Sequence, residues 1–182
     1  MQINFVTSNK GKVKELKLCL EPEIKVNHIE KEYRELRSDD PEEIARESAE
    51  RLANELKKPV VVEDSGLFIK VLKDFPGTCS KYIHKRIGLK GLLKLMENEK
   101  DRTVFYRSAI AYCEPNKKPI SFLGEEKGTI AKGIRGSFGF GHDPIFIPEN
   151  SKNTYGEMEN CQELKKFRRK AAEKLKRYLL DK

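Results

Sequence analysis

The chain has 182 residues, of which 37% are hydrophobic and 36% are charged, and its net charge is +8. This length suits one domain with a substantial core, and no apolar run approaches the roughly 20 residues of a membrane span. No signal-peptide pattern opens the chain, and the four scattered cysteines form no Cys-x-x-Cys pair. We therefore expect one cytoplasmic domain over residues 1–182, with reduced thiols rather than disulfides or a zinc site.

The hydrophobic pattern predicts strands that alternate with helices, followed by a run of strands. Asp40 and Pro41 supply an acidic cap and a first-turn proline, which begin a helix. In chain order the predicted elements are a strand at 2–6, a helix containing Val13, Leu16 and Leu20, a helix from Pro41 to about Leu56, a strand at 60–62, helical stretches from Thr78 and at 89–96, strands at 104–113, 120–123 and 128–131, and a C-terminal helix. This order favours an α/β fold on a mixed sheet.

Most of the excess positive charge lies in residues 163–182, which hold nine Lys or Arg and three acids. Apolar residues recur there at helical spacing, from Leu164 to Tyr178, with cations on the other faces. A solvated amphipathic helix explains this pattern, and a helix edge that supplies cations to an anionic ligand is the functional alternative. A polynucleotide groove comes third, so we expect no stable nucleic-acid partner and no membrane partner.

A polar turn from Thr7 to Lys12 lies between the first predicted strand and the first helix. Backbone N–H groups and the helix dipole favour anions at such a turn, and Lys10 and Lys12 add full positive charges. The turn lacks the G-x-x-x-x-G-K-[ST] pattern of a Walker A loop. An ordinary strand–helix turn therefore remains the alternative to a phosphate site.

Two adjacent carboxylates, Glu63 and Asp64, follow the predicted β-branched strand, and Ser65 and Gly66 come next. Magnesium prefers a few carboxylate oxygens together with water and substrate phosphate. A carboxylate at this place can also take a proton from a metal-polarised water. The alternative is a turn that simply closes the strand. Residues 32–35, which read Glu-Tyr-Arg-Glu, contain two further carboxylates.

Residues 137–148 read Ser-Phe-Gly-Phe-Gly-His-Asp-Pro-Ile-Phe-Ile-Pro. Gly139 and Gly141 free the backbone for positive φ or for close approach to a ligand. Three flat rings lie beside them, and the carboxylate of Asp143 follows at once. Such a loop suits a planar heterocycle, because stacking holds its faces while a polar group binds its edge. The alternative is a turn whose aromatic rings close a core.

Several motifs occur together, in order: Phe5-Val6-Thr7-Ser8-Asn9-x-x-Lys12, Glu63-Asp64-Ser65-Gly66-Leu67, Phe75-Pro76-Gly77 and Gly139-Phe140-Gly141-His142-Asp143-Pro144-Ile145-Phe146. Together they strongly resemble the inosine triphosphate pyrophosphatase family, the noncanonical purine NTP pyrophosphatases, and most of all its archaeal branch. The resemblance runs from about residue 2 to residue 148.

The resemblance implies a fold and an activity. The fold would be an elongated mixed β-sheet flanked by helices, in two lobes with a central cleft, and the protein would be a homodimer. The activity would be Mg²⁺-assisted attack of water on a nucleoside triphosphate, which gives the monophosphate and pyrophosphate. The preferred substrates would be deaminated purine nucleotides (ITP, dITP and XTP), and their removal would cleanse the nucleotide pool.

The resemblance also implies residue roles. Asp64 would be a metal ligand and the general base, helped by Glu63, and Glu35 would be the other metal ligand. Phe140 would stack on the base. The substrate-binding residues that the resemblance implies are Thr7, Ser8, Asn9, Lys10, Gly11, Lys12, Ser65, Phe140, Gly141, His142, Asp143, Arg168 and Arg169.

The C-terminal motif departs from the family. The family pattern is Lys-Asn, then Ser-His-Arg, then Ala two residues on. Here only Arg169 and Ala172 match, and the family's Lys, Asn, Ser and His are replaced by Glu163, Leu164, Phe167 and Arg168. A glutamate in place of a lysine reverses the charge in a site for an anion, which changes binding. The base preference is therefore retuned, or the activity is weakened.

Three functions follow from these patterns. The first is a Mg²⁺-dependent pyrophosphatase of deaminated purine nucleotides. The second keeps this cleavage but changes the base, for example to a modified pyrimidine. The third is a nucleotide-binding or nucleic-acid-binding protein with little catalysis, and only the basic C-terminal segment supports it. The adjacent carboxylates at 63 and 64 argue against the third, since a pure binder of anions gains little from them.

Overall fold

A computed structural model of the chain describes residues 1–182. Seven strands and five helices form an α/β fold, with three short 3-10 turns between them. The elements are β1 (Gln2–Val6), α1 (Lys10–Leu20), β2 (Lys25–Ile29), α2 (Pro41–Leu56), β3 (Val60–Ile69), β4 (Phe75–Gly77), α3 (Ser80–Leu95), β5 (Thr103–Cys113), β6 (Ile120–Ile130), β7 (Phe146–Pro148), α4 (Cys161–Leu164) and α5 (Lys166–Leu180).

The strands form one sheet in the order β2-β1-β3-β5-β6-β7, with β4 paired to β3. Strand β1 runs parallel to both β2 and β3. Strand β4 is antiparallel to β3, and β7 is antiparallel to β6. The mixed sheet that the element order predicts is therefore confirmed.

The chain divides into two compact units. Unit 1 comprises residues 1–64, 108–124 and 166–182, and unit 2 comprises residues 65–107 and 125–165. The prediction of one domain over 1–182 stays a prediction.

Unit 1 buries both faces of its strands, because neighbouring residues of a strand point to opposite sides. On one face Phe5 and Val61 belong to a buried cluster with apolar residues of α1 and α5. On the other face Val6 and Val62 pack with the small residues of α2, including Ala49. The near-continuous apolar run of these strands follows from this double burial.

Unit 2 has a core in which aromatic rings contact one another. The ring of Phe146 on β7 lies 4.4 Å from that of Tyr106 on β5 and 5.6 Å from that of Tyr155, centroid to centroid. Strands β3 and β4 approach so closely that a Cβ on Gly66 would lie 2.1 Å from the carbonyl oxygen of Gly77. Glycine at position 66 is therefore required by packing rather than by a turn.

The predicted strand at 60–62 is too short. Strand β3 continues through Glu63, Asp64, Ser65 and Gly66 to Ile69, so these residues do not form a turn. The predicted strands at 120–123 and 128–131 are likewise joined in β6. Gly124 between them fits beneath α5, since a Cβ there would lie 2.0 Å from the carbonyl oxygen of Phe167.

The helical predictions are confirmed with two changes. Helix α2 begins at Pro41 and ends at Leu56 as predicted, and α3 is broken at Gly88, where φ is 63°. The C-terminal helix is not continuous, because Lys165 is extended, with φ −60° and ψ 122°, and separates α4 from α5. The sequence did not predict strands β2, β4 and β7.

The structure has no helix that is both long and apolar enough to cross a membrane. No disulfide joins any of its four cysteines.

Candidate functional site

The turn between β1 and α1 is organised by the side chain of Asn9. Its Oδ1 accepts hydrogen bonds from the backbone N–H groups of Gly11 at 2.9 Å and Lys12 at 3.2 Å. Thr7 Oγ1 accepts the N–H of Asn9 at 3.1 Å, and His28 Nε2 donates to the carbonyl oxygen of Thr7 at 2.8 Å. The cap satisfies two backbone N–H groups of the helix, and these two groups are therefore not available to an anion. The positive charge of the turn comes mainly from its lysine side chains.

Lys12 reaches from this turn to Glu63 on β3. Its Nζ donates to the backbone carbonyl of Glu63 at 3.0 Å and lies 3.3 Å from Oε2 of the same residue. Ser108 Oγ donates to Glu63 Oε1 at 2.6 Å. The Glu63 side chain is 1% exposed and that of Lys12 is 17% exposed. Glu63 therefore holds a lysine that still reaches the surface.

Arg168 on α5 bridges Glu63 and Glu15. Its Nε donates to Glu63 Oε1 at 2.9 Å, and its Nη1 donates to Glu15 Oε2. The guanidinium is buried, and burial lowers the pKa of Arg168 to about 9. Glu15, Arg168, Glu63 and Lys12 thus form a linear set of two acids and two bases, which we call the charge chain. The sequence-based role of Arg168 in substrate binding stays a prediction.

The charges of three carboxylates act on Tyr33 in unit 1. Burial raises the pKa of Tyr33, and the charges of Glu35, Asp64 and Glu63 raise it further. Asp64 is buried and Glu35 is exposed. The structure contains no cluster of three or more His, Cys, Asp or Glu with the geometry of a metal site. Magnesium needs only one or two protein carboxylates when water and phosphate complete its shell, so Glu35 and Asp64 fit this ion by their chemistry.

In unit 2 the loop that contains Phe140 closes around the carboxylate of Asp143. Asp143 Oδ2 accepts the backbone N–H of Phe140 at 2.7 Å and lies 2.7 Å from Lys165 Nζ. Asp143 Oδ1 accepts the hydroxyl of Tyr106 at 3.2 Å. Asp143 is 1% exposed, and burial raises its pKa, which Lys165 opposes most strongly.

Two rings follow in the same loop. Phe140 is half-buried, and Lys165 Nζ lies 4.2 Å from the centroid of its ring. His142 is buried, and its ring is 5.1 Å from that of His84 in an edge-to-face arrangement. Burial, with a smaller contribution from the charge of His84, lowers the pKa of His142 to about 3. The imidazole of His142 is therefore neutral at physiological pH.

The structure places the other predicted residues as follows. Ser8, Lys10 and Gly11 lie with Thr7 in the turn of unit 1, where Lys10 is exposed and the other two are half-exposed. Ser65 lies on β3 and belongs to unit 2, with Gly141. Arg169 is exposed and hydrogen-bonds to Cys19 on α1.

Lys165 is the residue that sequence reasoning missed. It is one of nine Lys or Arg in a basic segment, and nothing in the local pattern separates it from its exposed neighbours. The side chain is nevertheless 2% exposed. A break in the helix at this residue, rather than a motif, turns it inward.

The chain is similar to known proteins in both sequence and fold. The model of the Ham1 family matches residues 3–178. A dITP/XTP pyrophosphatase of Methanopyrus kandleri is 46% identical over 166 residues, which is 89% of this chain and 88% of that protein. A dITP/XTP pyrophosphatase of Methanosarcina acetivorans is 42% identical over 94% of this chain and 92% of its own.

Solved structures are similar too. A HAM1 protein from Coxiella burnetii has a TM-score of 0.85 and 26% identity, with 99% of this chain and 100% of that chain covered. The Ham1 protein of Staphylococcus aureus has a TM-score of 0.82 and 28% identity, with 98% of each chain covered.

Proposed function

The chain belongs to the Ham1 family, and on that premise we propose that it hydrolyses noncanonical purine nucleoside triphosphates to the monophosphate and pyrophosphate. The relatives named dITP/XTP pyrophosphatase support the substrate class. The observation that carries the reaction type is in unit 1, where Lys12 at the start of α1 pairs with the buried carboxylate of Glu63. A buried acid beside a partly exposed lysine suits attack on a phosphate anhydride.

We propose that the turn of unit 1 holds the triphosphate. Such a substrate carries about four negative charges, so positioning and positive charge supply most of the catalysis. Lys12 and the exposed Lys10 provide ammonium groups. Thr7 and Asn9 fix the turn by their own hydrogen bonds, which keeps Lys12 in one place before substrate arrives.

Asp64 is the proposed general base. It takes a proton from the attacking water on a carboxylate oxygen, while its backbone is fixed inside β3. Glu63 has a different part, because its Oε1 already accepts two hydrogen bonds and its Oε2 faces Lys12. We propose Glu63 as the counter-ion that orients Lys12 rather than as a second base.

Magnesium is proposed as the cofactor, with Asp64 and Glu35 as its protein ligands. When bound, Mg²⁺ polarises phosphate oxygens and lowers the pKa of water. This chain's own residues contribute the carboxylates of Asp64 and Glu35, whose charges both act on Tyr33, and the lysines that hold the phosphates. Titration of the metal-free protein with Mg²⁺, followed by tyrosine fluorescence, gives a saturable signal that Glu35→Gln weakens.

The base is proposed to bind in unit 2, with Phe140 stacked on one of its faces. Stacking on an aromatic ring contributes about 1–3 kcal/mol per base. His142 is neutral and buried, so it adds no charge to this loop. These groups hold any flat base, so discrimination between bases requires further donors.

A changed base preference is the second candidate, and one observation favours it. Arg168 stands where the family has a histidine, and its Nε and Nη1 are directed to Glu63 and Glu15. A guanidinium in that position does not offer those two donors to a base.

We also propose a homodimer in the cytoplasm, as the family resemblance implies, and light scattering of the purified protein tests the dimer.

A substrate panel tests the proposal. Purified protein with Mg²⁺ is given ITP, XTP, dITP, ATP, GTP and modified pyrimidine triphosphates, and monophosphate formation is measured. We expect kcat/KM for ITP or XTP to exceed that for ATP by about tenfold or more. Preference for a pyrimidine supports the second candidate, and equal values for ATP and ITP contradict the purine specificity.

Asp64→Asn tests the general base. Turnover should fall by about a thousandfold, while the unfolding transition stays in place. Asp39→Asn is the matched control, because Asp39 is an exposed acid of the same unit. If Asp64→Asn is about as active as the control, Asp64 is not the general base.

A further inference from the structure

Asp143 binds its own loop. Both oxygens of its carboxylate are engaged, since Oδ2 meets the Phe140 N–H and Lys165 Nζ, and Oδ1 meets the Tyr106 hydroxyl. The backbone passes so close that a Cβ on Gly139 would lie 2.1 Å from Oδ2. The carboxylate is therefore the centre around which the loop is folded.

Lys165 completes this centre. Its ammonium lies 2.7 Å from Asp143 Oδ2, and both side chains are almost fully buried. Burial alone raises the pKa of Asp143, and Lys165 is the largest influence in the opposite direction. A buried ion pair depends on both partners, because removal of one leaves an uncompensated charge.

The same ammonium also contacts the Phe140 ring, 4.2 Å from its centroid. Phe140 is thus held at two points. Its backbone N–H is bound by Asp143, and its ring is contacted by Lys165 through a cation–π interaction. The pair of Asp143 and Lys165 therefore fixes both the backbone and the ring of Phe140.

We propose that Lys165 is a positioning residue that, together with Asp143, holds the ring of Phe140 in the position in which it stacks on the base of the nucleotide. This inference rests on the proposed function, in which Phe140 stacks on the base. Lys165 is not proposed to contact the phosphates. Its loss should weaken binding of a nucleoside triphosphate and spare binding of a triphosphate without a base.

The test compares Lys165→Met with Lys152→Met, an exposed lysine of the same unit. Two quantities are measured for each: KM for ITP, and the inhibition constant of inorganic tripolyphosphate. For Lys165→Met we expect KM to rise about tenfold, with the tripolyphosphate constant within about twofold of wild type. For Lys152→Met neither quantity should change.

A double-mutant cycle separates positioning from general damage. Because Lys165 acts with Asp143, the variant Lys165→Met/Asp143→Asn should raise KM no further than either single change. The double variant has no unpaired buried charge, so it folds even where Lys165→Met does not. Additive effects, or an equal rise in KM and in the tripolyphosphate constant, overturn the inference.

Failure of the proposed function gives a different result. If the wild-type protein hydrolyses no triphosphate, calorimetric binding of ITP and of tripolyphosphate replaces the kinetic constants. Loss of ITP affinity alone in Lys165→Met then still supports the positioning role. ITP binding that is unchanged in Lys165→Met overturns it.

Discussion

Each of the two units contains a network of buried charged side chains, and the two networks differ in whether a charged group reaches the surface. In unit 1 the charge chain begins at the buried Glu15 and ends at Lys12, whose side chain is 17% exposed. In unit 2 the pair of Asp143 and Lys165 is enclosed, at 1% and 2% exposure. The first network leaves the ammonium group of Lys12 partly exposed, so that an anion can bind to it. The second network exposes no charged group, and its contacts hold the loop that contains Phe140. In the proposed function, the buried ion pairs therefore serve phosphate binding in unit 1 and the shape of the base-stacking loop in unit 2.

Removal of the central cation of unit 1 gives the largest expected effect. Arg168→Met leaves Glu15 and Glu63 facing each other in the interior, so we expect the free energy of unfolding to fall by about 3–5 kcal/mol. Denaturant unfolding measures the loss. Arg177→Met is the control, because Arg177 is exposed on the same helix, and it should change stability by about 0.5 kcal/mol or less. Equal stability of the two variants contradicts the charge chain.

The loop of unit 2 gives the next effect. Gly139→Ala adds a Cβ 2.1 Å from Asp143 Oδ2 at a φ of +76°, and we expect a loss of about 3 kcal/mol from backbone strain and overpacking together. Gly141→Ala is a close match, since its φ is +64° but no atom lies within 4 Å of the added Cβ. It should cost only about 1 kcal/mol. Thermal unfolding compares the pair, and equal losses show that Asp143 does not confine the loop.

A smaller effect appears only on acidification. The pKa of His142 is lowered from 6.5 to about 3, so between these values the unfolded chain binds more protons than the folded one. Stability should then decrease as pH falls below about 6.5. In His142→Phe this dependence is removed, and its loss of stability from pH 7 to pH 5 should be about 2 kcal/mol less than that of wild type. The same pH dependence in both proteins contradicts a buried, neutral His142.

Local patterns were sufficient for much of unit 1. Asp40 and Pro41 predict the start of α2, and the helix begins there. The acidic end of the strand at 63–64 was found by sequence, but its conformation was not. Glu-Asp-Ser-Gly is also typical of a turn, but here it continues strand β3, in which Ser108 and Arg168 satisfy the buried carboxylate of Glu63. Those partners are distant in the chain, so no local rule contains them.

The site of unit 2 shows the opposite limit. The glycine-rich loop predicts that Phe140 and Asp143 bind a ligand. In the structure, the carboxylate of Asp143 is bound by groups of the protein itself. Lys165 was hidden, because one buried lysine among many exposed ones has no sequence signal. Only the extended conformation at residue 165 brings its ammonium to Asp143, and that conformation depends on tertiary packing.

Phosphorus NMR of the products from ITP, recorded with Mg²⁺ and wild-type protein, tests the central claim most directly. The account predicts inosine monophosphate and pyrophosphate in equal amounts, without orthophosphate. Inosine diphosphate with orthophosphate, or no reaction with any triphosphate, contradicts it.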